Sequence, residues 1–300
     1  MLEPKADFAF EHANDRTYDA LDMRAAYGQC REIARIASKT FFLASLFLAP
    51  EKRRAVWAVY AVCRTADDLV DTTAPSGERL ARIDELEGKL LAAISGNATE
   101  PIFAAYADAS ARFGIPFEPA LALLRGARMD VTIRRYATYD KLCEYCYLVA
   151  STVGLLVAPI LGYASPVALE YGALLGRAMQ LTNILRDVGE DALMGRIYLP
   201  AEDLARFDYA EADVFAQVVD EKFVALMRFE VGRVRAIYRE AEPGIALLSR
   251  ESRYTVRLAL TLYRSILQAI EVNAYDVFTR RAYVPLRAKL ATALSLAIVR

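Results

Sequence analysis

Hydrophobic residues recur every three to four positions along most of this chain, which is the period of a helix that buries one face. No stretch of consequence shows the two-residue alternation of a half-buried β-strand. The sequence therefore indicates a single all-α bundle of about ten helices around a central cavity. The predicted helices cover 18–37, 50–71, 76–94, 102–113, 117–136, 138–161, 166–189, 213–240, 250–273 and 283–299, with a short apolar segment over 38–48 and a loop over 192–204.

One of these helices raises the question of a membrane span, because no residue from 145 to 169 carries a charge. Pro159, Gly162 and Pro166 interrupt the stretch, and the polar side chain of Ser151 lies inside it. The central helix of a large bundle is also apolar on all sides. We therefore predict a buried core helix rather than a spanning one.

The chain has 300 residues, of which 55% are hydrophobic, so it can form one large domain that buries about 75% of its unfolded surface. Residues 1–16 show little periodicity and are predicted to form a loose N-terminal arm, with the domain over 17–300. Residues 1–22 are polar and acidic and do not resemble a secretory signal, which favours a cytoplasmic protein.

The composition also argues against several kinds of chemistry. A formal net charge of −1 gives no sign of nucleic-acid binding, which calls for a basic excess. His12 is the single histidine and lies in a polar segment, so catalytic histidine triads and histidine zinc sites are not expected. Cys143 and Cys146 form a C-x-x-C pair in an apolar helix without a second pair, and we expect reduced core cysteines. Catalysis must then depend on carboxylates, tyrosines, arginines and metal ions.

Residues 60–71, Y-A-V-C-R-T-A-D-D-L-V-D, place unusual charge on an otherwise apolar helix. Helical spacing brings Asp67 and Asp71 to one face, with Asp68 beside them. An exposed acidic face would explain such a run equally well if it stood alone. Residues 56–62 are apolar, however, and buried charges are normally paired or metal-bound. The stretch therefore indicates a site for a divalent cation such as Mg²⁺ or Mn²⁺.

A second helix repeats this arrangement. Residues 180–191 read Q-L-T-N-I-L-R-D-V-G-E-D, which places Asn183, Asp187 and Asp191 on successive turns of one face. Two such helices facing one cavity are suited to hold several divalent ions around a diphosphate group. The predicted metal ligands are Asp67, Asp68, Asp71, Asn183, Asp187 and Asp191.

The two acidic helices resemble the aspartate-rich and N-x-x-x-D-x-x-x-D segments of the squalene and phytoene synthases. Other blocks similar to this family are S-K-T-F at 38–41, Y-C-Y at 145–147 with the apolar run 149–154, and G-R-I-Y-L-P at 195–200. The resemblance covers about residues 30–285 and is most like the bacterial-type phytoene synthases. It implies an isoprenoid synthase-type bundle that joins two isoprenyl diphosphates head to head.

The family pattern implies further roles around the metal ligands. Arg64, Tyr263 and Arg280 match positions that contact phosphate, and Arg186 and Arg196 are basic neighbours suited to the same task. The expected catalytic residues are Tyr60, Arg64, Asp67, Asp71, Tyr145, Asn183, Asp187 and Asp191, and the expected substrate-binding residues are Phe41, Ser45, Arg64, Gln180, Arg186, Arg196, Tyr198, Tyr263 and Arg280.

The implied reaction has two steps. Ionisation of one substrate lets the double bond of the second attack, which gives a cyclopropylcarbinyl diphosphate, and a second ionisation rearranges it to the 1-1′ linked product. The cavity must be dry, and Phe41, Tyr60, Tyr145 and Tyr263 are the aromatic residues expected to face the cation. Proton loss would give phytoene, so NADPH is not expected, whereas hydride delivery from NADPH would give squalene.

Ser45 bears on substrate length. It lies one turn beyond Phe41, where a bulky aromatic side chain would shorten the cavity. This favours C20 geranylgeranyl diphosphate, and hence phytoene and carotenoid biosynthesis, over C15 farnesyl diphosphate. The alternative is a squalene or dehydrosqualene synthase. A head-to-tail prenyltransferase, a terpene cyclase and a non-catalytic helical protein fit the ordered blocks and the retained acids less well.

Two family segments carry further expectations. The 195–200 loop is interpreted as a lid, because Gly195 permits motion and Arg196 can follow the diphosphate. Ser151 replaces a glycine that is common in the family, which raises a question about the shape of the cavity.

An apolar C40 product must leave into lipid, so we predict peripheral association with the inner face of the membrane. The basic residues Arg280, Arg281, Arg287 and Lys289 indicate where the membrane would bind. The sequence leaves the oligomeric state open.

Overall fold

A computed structural model describes residues 22–298, so the predicted arm over 1–16 lies outside the described residues. Residues 22–298 contain no named strand, and their isolated β-bridges are Arg135–Ile197 and Tyr163–Leu248. The prediction of an all-α domain is confirmed. The helices are α1 Met23–Ala37, α2 Lys39–Ser45, α3 Pro50–Val70, α4 Ser76–Ile94, α5 Pro101–Phe113, α6 Glu118–Thr132, α7 Tyr139–Cys146, α8 Thr152–Leu161, α9 Val167–Leu193, α10 Ala201–Arg206, α11 Glu211–Phe215, α12 Glu221–Ala241, α13 Arg250–Val272 and α14 Leu286–Ile298, with a π-helical segment at Tyr147–Ser151 and a 3₁₀ segment at Glu242–Leu247.

Capping residues explain where several helices begin. The Asp22 carboxylate accepts a hydrogen bond from the Arg24 N–H at 2.9 Å at the start of α1, and Ser38 Oγ accepts from the Phe41 N–H at 3.3 Å at the start of α2. Pro50 occupies the first position of α3, where its missing N–H costs no helical bond.

Several predicted boundaries were wrong, among them the end of the helix predicted over 117–136, which ends at Thr132. Helix α9 continues past Gly189 to Leu193. This glycine allows close packing and does not end the helix, since a Cβ there would lie 2.9 Å from the Phe278 Cα. The predicted helix over 213–240 is divided into α11 and α12 by a turn in which Gln217 has a φ of 56°. The predicted loop over 192–204 already contains the beginning of α10.

The chain from α7 to α8 is long and apolar enough, by length and composition, to cross a membrane. In the structure it contacts α3, α6 and α9 within the bundle. The apolar side chains of Val149, Val153 and Val157 line an internal cavity, which is why much of this segment is not buried against other helices. The segment therefore forms a central helix, as the sequence analysis predicted.

Glycines allow α8 and α9 to approach each other closely. A Cβ on Gly154 would lie 2.3 Å from the carbonyl oxygen of Gly172, and a Cβ on Gly176 would lie 2.3 Å from that of Ala150. The two backbones are therefore in direct contact, and they lie closer together than side chains at these positions would allow. This contact fixes the wall of the cavity that lies between the two acidic helices.

Candidate active site

A cavity of about 500 Å³ lies in the middle of the bundle, with walls from α2, α3, α8, α9 and α13. Helices α3 and α9 both contribute apolar residues from their N-terminal halves and polar residues from their C-terminal halves. The cavity consequently has an apolar end and a polar end. The predicted residues on its wall are Phe41, Ser45, Tyr60, Arg64, Asp67, Gln180, Asn183, Arg186 and Tyr263.

The remaining predicted metal ligands lie beside the polar end, mostly one turn further along the same helices. Helix α3 ends at Val70, and Asp71 stays in register as its C-cap because its N–H donates to the Asp67 carbonyl at 3.2 Å. Asp187 and Asp191 lie within α9. Both Asp67 and Asp191 experience the negative charge of Asp71, so the fold brings the acids of the two helices together.

Arginines neutralise three of these acids. Arg64 pairs with Asp68 one turn away, and Arg186 pairs with its neighbour Asp187 through two bonds, of which the Nε–Oδ1 bond is 2.7 Å long. Arg196 Nη1 donates to Asp71 at 3.3 Å. The site therefore contains both the carboxylates suited to a metal ion and the guanidinium groups suited to phosphate.

Asp67 and Asp191 form no ion pair among the described residues. Desolvation, together with the negative charge of neighbouring carboxylates, raises the pKa of each to about 7. Asp67 is exposed on the cavity wall, and protein groups surround this part of the cavity. Two carboxylates of raised pKa without an ion-pair partner between residues 22 and 298 fit a divalent ion, which would favour their charged forms.

No three His, Cys, Asp or Glu side chains between residues 22 and 298 are already grouped as a complete metal site. The carboxylates of α3 and α9 are of the kind that Mg²⁺ takes, because this ion usually binds one or two protein carboxylates and completes its shell with substrate phosphates and waters. The residues present fit such an ion, with Asp67, Asp71, Asn183, Asp187 and Asp191 as the groups that would hold it.

Sequence reasoning missed Asp130, which lies on α6 behind the acidic helices. Its two carboxylate oxygens accept hydrogen bonds from the hydroxyls of Tyr198, at 2.6 Å, and Tyr145, at 2.7 Å. Burial raises the pKa of Asp130, while these two bonds lower it. The sequence did contain a feature that could have identified this residue, because Asp130 is an acid that lies between the buried residues Ala127 and Val131 of an amphipathic helix.

The structure corrects the expected place of Tyr145. Its ring is stacked with that of Tyr198 at 5.4 Å between centroids and also contacts Tyr136, and it is absent from the cavity wall. The hydrogen bond to Asp130 directs this side chain toward the acids. Tyr145 and Tyr198 therefore support the polar end of the site and do not face the apolar cavity.

The structure also places Arg281, rather than the expected Arg280, at the cavity. Arg281 lines the opening and binds Asp187 at 3.2 Å and Glu190 at 2.7 Å. Arg280 is exposed and lies outside the cavity wall. Both residues lie in the irregular segment between α13 and α14, where no helical period indicates which side chain points inward.

The aromatic residues Phe41, Tyr60 and Tyr263 do line the cavity. Phe41 and Tyr60 are stacked with their centroids 4.4 Å apart. Ser45 is buried on the same wall, where it accepts a hydrogen bond from the Trp57 indole at 2.8 Å and donates to the Phe42 carbonyl at 2.7 Å. The small side chain therefore leaves space at this point of the cavity wall.

Hydrogen bonds hold the 195–200 loop to the end of α3 and to Arg135. Arg196 is buried and also donates to the Val70 carbonyl at 3.4 Å, and Arg135 donates to the Gly195 carbonyl at 2.8 Å. Motion of this loop would break these bonds, so its role as a lid remains a prediction. Ser151, the departure from the family pattern, donates to the Ala173 carbonyl at 2.7 Å and so tightens the contact with α9.

Residues 34–288 match the Squalene/phytoene synthase family, and the matched region contains both acidic helices and the whole cavity. The chain belongs to this family. The resemblance inferred from the motifs is confirmed.

Curated relatives of this synthase-family chain include the 15-cis-phytoene synthase of Synechococcus elongatus, which is 42% identical over 89% of this chain and 91% of its own length. The phytoene synthase of Arthrospira platensis is 45% identical over 87% of this chain and 88% of its own length.

Solved structures show the same fold. A dehydrosqualene synthase, 32% identical, superimposes with a TM-score of 0.87 over 92% of this chain and 97% of its own. A squalene synthase from Alicyclobacillus acidocaldarius, 31% identical, gives a TM-score of 0.78 over 85% of this chain and 96% of its own. The isoprenoid synthase-type bundle predicted from the sequence is thus the observed fold.

Proposed function

We propose that this family member is a phytoene synthase, a prenyltransferase that condenses two geranylgeranyl diphosphates head to head in the first step of carotenoid biosynthesis. The observation that carries the proposal is a cavity with acids and arginines at one end and an apolar wall at the other. The relatives named phytoene synthase, at 42–45% identity over most of both chains, support the product.

The polar end is suited to bind and orient the two diphosphates. Arg64, Arg186 and Arg281 each pair with a carboxylate beside the cavity and can turn to phosphate oxygens when that carboxylate binds a metal ion. Bound Mg²⁺ or Mn²⁺ would act as a Lewis acid that stabilises the leaving diphosphate. Asn183 and Gln180 add neutral oxygen and nitrogen atoms on the same wall.

The apolar end protects the cation that remains after diphosphate leaves. Val153, Val157 and Leu161 of α8 form an apolar part of the cavity wall that excludes water. The stacked rings of Phe41 and Tyr60 offer their electron-rich faces without a strong nucleophile, since burial raises the pKa of Tyr60 and keeps its hydroxyl neutral. The double bond of the second substrate is then the available nucleophile.

The product follows from the fate of the second cation. Attack of the double bond and loss of a proton gives the cyclopropylcarbinyl diphosphate, and its ionisation leads to the rearranged 1-1′ linked cation. Loss of a second proton yields the central double bond of phytoene. This sequence consumes no reductant, so we expect no requirement for NADPH.

The alternative is a squalene or dehydrosqualene synthase that uses farnesyl diphosphate. The two solved structures described above favour it, because their names record those products. Ser45 argues for the longer substrate, since it leaves open a part of the cavity that an aromatic side chain would fill.

Product analysis tests the proposal. Purified protein is incubated with Mg²⁺ and with either geranylgeranyl or farnesyl diphosphate, with and without NADPH, and the extracted hydrocarbons are identified by mass spectrometry. We expect a C40 product from geranylgeranyl diphosphate that requires metal and no NADPH. A C30 product formed exclusively from farnesyl diphosphate would establish the alternative, and no product with either substrate would refute both.

The substitution Ser45→Phe tests the basis of chain-length selection in the same assay. A ring at this position would fill the cavity next to Phe41, so we expect the yield of C40 product to fall at least tenfold and farnesyl diphosphate to become the better substrate, on the order of the 10–200-fold discrimination that a hydrophobic pocket achieves. Ser45→Ala is the control, because it retains the space. Equal loss of the C40 product in both variants would contradict this explanation.

We also propose a cytoplasmic protein that associates with the inner face of the membrane, since phytoene is insoluble in water. The proposal is supported by the apolar character of the product and by the basic residues near α14. Fractionation of cells into soluble and membrane-bound protein at low and high salt would test it, and exclusive recovery in a periplasmic fraction would refute it.

A further inference from the structure

Helix α14 has an apolar face that nothing covers among the described residues. Leu286, Leu290, Leu294 and Ile298 follow one another at intervals of four residues, and their exposed fractions are 66%, 47%, 65% and 80%. The opposite side of α14 is packed, since Ala293 is buried against Tyr254 and Leu258 of α13. Helix α14 is therefore apolar on two sides, of which one faces the protein and the other faces solvent.

The α2–α3 corner extends this exposed surface. Leu46 and Phe47 are exposed there, and the ring of Phe47 contacts the Tyr254 ring with centroids 4.9 Å apart. The hydroxyl of Tyr254 donates to the Ala293 carbonyl at 2.6 Å, which attaches α14 to the same place. We call the exposed side of α14 together with Leu46 and Phe47 the docking face.

The charge around the docking face is positive. None of residues 277–298 is acidic, whereas α14 carries Arg287 and Lys289. Lys289 donates to Thr40 Oγ1 at 2.6 Å, and its pKa is lowered by burial and further by the nearby ammonium group of Lys39. Lys39 and Arg287 form no ion pair between residues 22 and 298. A second copy of the same face would therefore bring like charges together, whereas anionic lipid headgroups would match them.

The docking face covers the apolar end of the cavity. Ala44 of α2 and Ala259 of α13 line the cavity, and both belong to the cluster in which Ala293 and Leu296 of α14 pack. Helix α14 thus lies across the seam between α2 and α13, with the cavity on one side and solvent on the other. An apolar molecule that left through this seam would emerge at the docking face.

We propose that the docking face binds flat on an anionic lipid bilayer, with the leucines of α14 in the acyl region and Lys39 and Arg287 at the headgroups. The seam between α2 and α13 then opens into lipid, which gives the hydrocarbon product an exit that avoids water. The role of the seam rests on the proposed function, but lipid binding by the face does not.

Co-sedimentation of the full-length protein with vesicles tests the proposal. The vesicles consist of phosphatidylcholine alone or of phosphatidylcholine with phosphatidylglycerol, at low and high salt. We expect binding to the anionic vesicles that weakens with salt. The double substitution Leu286→Ser with Leu294→Ser should weaken it at least tenfold, since each leucine loses its insertion into the acyl region. The control is Val272→Ser with Leu91→Ser, two exposed apolar residues on other helices, and it should bind as the unmodified protein does.

A second pair of variants separates the electrostatic contribution. Lys39→Gln with Arg287→Gln should reduce binding to anionic vesicles by about fivefold for each charge and leave weak binding to neutral vesicles unchanged. Absence of vesicle binding, or equal loss in the leucine variant and its control, would overturn the proposal. If the unmodified protein did not bind vesicles and the leucine variant had a lower molecular mass in solution, the face would instead join two copies of the chain, and the proposal would be overturned. Vesicle binding without any C40 product would refute the proposed function and leave the docking face supported.

Discussion

At the scale of single residues, the site depends on how each carboxylate is neutralised. Asp68, Asp71 and Asp187 have arginine partners, Asp130 has two tyrosine hydroxyls, and Asp67 has no ion-pair partner in the described part of the chain. A hydrogen bond from a neutral hydroxyl fixes a carboxylate without cancelling its charge. Asp130 can therefore hold two side chains in place and still contribute negative potential to the metal site.

Asp130→Asn tests this positioning role. The amide can accept from one hydroxyl but presents an N–H₂ group to the other, so Tyr145 or Tyr198 loses its acceptor. We expect kcat/KM for the C40 product to fall by about 10–100-fold, the usual cost of losing a partner that orients metal ligands. The concentration of Mg²⁺ required for half-maximal activity should rise as well.

Tyr198→Phe is the matched variant, because it removes one of the two bonds and leaves the Asp130 charge in place. Its loss of activity should be smaller than that of Asp130→Asn, and its Mg²⁺ requirement should change less. Normal kinetics and an unchanged Mg²⁺ requirement in Asp130→Asn would show that the carboxylate is merely structural.

At the scale of secondary-structure elements, the direct backbone contact between α8 and α9 determines the shape of the cavity. Gly154 and Gly176 are needed because a Cβ at either position would lie 2.3 Å from a carbonyl oxygen of the opposite backbone. Helix propensity alone would disfavour these two glycines, each by about 1 kcal/mol relative to alanine. Tertiary packing thus outweighs local preference in the wall of the site.

The substitution Gly154→Ala should destabilise the protein by about 1–3 kcal/mol, since the new Cβ would lie 2.3 Å from the Gly172 carbonyl oxygen and would force α8 and α9 apart. The same substitution at Gly88, on α4, has no atom within 4 Å of the new Cβ and should stabilise by about 0.5–1 kcal/mol. Thermal melts of both variants measure the difference. A melting temperature for Gly154→Ala at or above that of the unmodified protein would contradict the packing argument.

At the scale of the whole molecule, the fold confines negative charge from different helices in one place, and this makes stability depend on pH. The pKa values of Asp67 and Asp191 are raised to about 7, so the folded protein holds protons that the unfolded chain releases near pH 4. The free energy of unfolding should therefore decrease as the pH rises from about 4 to 7 and stay low above that range.

Melting temperatures of the metal-free protein at about pH 5 and about pH 8 measure this effect. We expect the lower value at the higher pH, and a larger stabilisation by Mg²⁺ with inorganic diphosphate there, because the ionised carboxylates bind metal without releasing protons. In the double variant Asp67→Asn with Asp191→Asn, the difference between the two pH values should shrink. An equal pH dependence in both proteins would show that other groups cause it.

The amino-acid sequence by itself determined the helical class and both acidic motifs, because these features repeat within a few residues. A period of three to four residues reports which face of a helix is buried, and carboxylates at i and i+4 share a face wherever the helix lies. Asp67, Asn183 and Arg186 were placed correctly on the cavity for this reason. The family was recognisable because several such short blocks occur in order.

Only the tertiary structure decided which residues meet across the bundle. Asp130 comes from a helix with no acidic motif, and Tyr145 faces that carboxylate rather than the cavity. Arg281 and Arg280 are neighbours in an irregular segment, where the sequence has no period to distinguish inward from outward. These choices depend on contacts between residues far apart in the chain, whereas the pattern along a sequence reports the neighbours of each residue within its own helix.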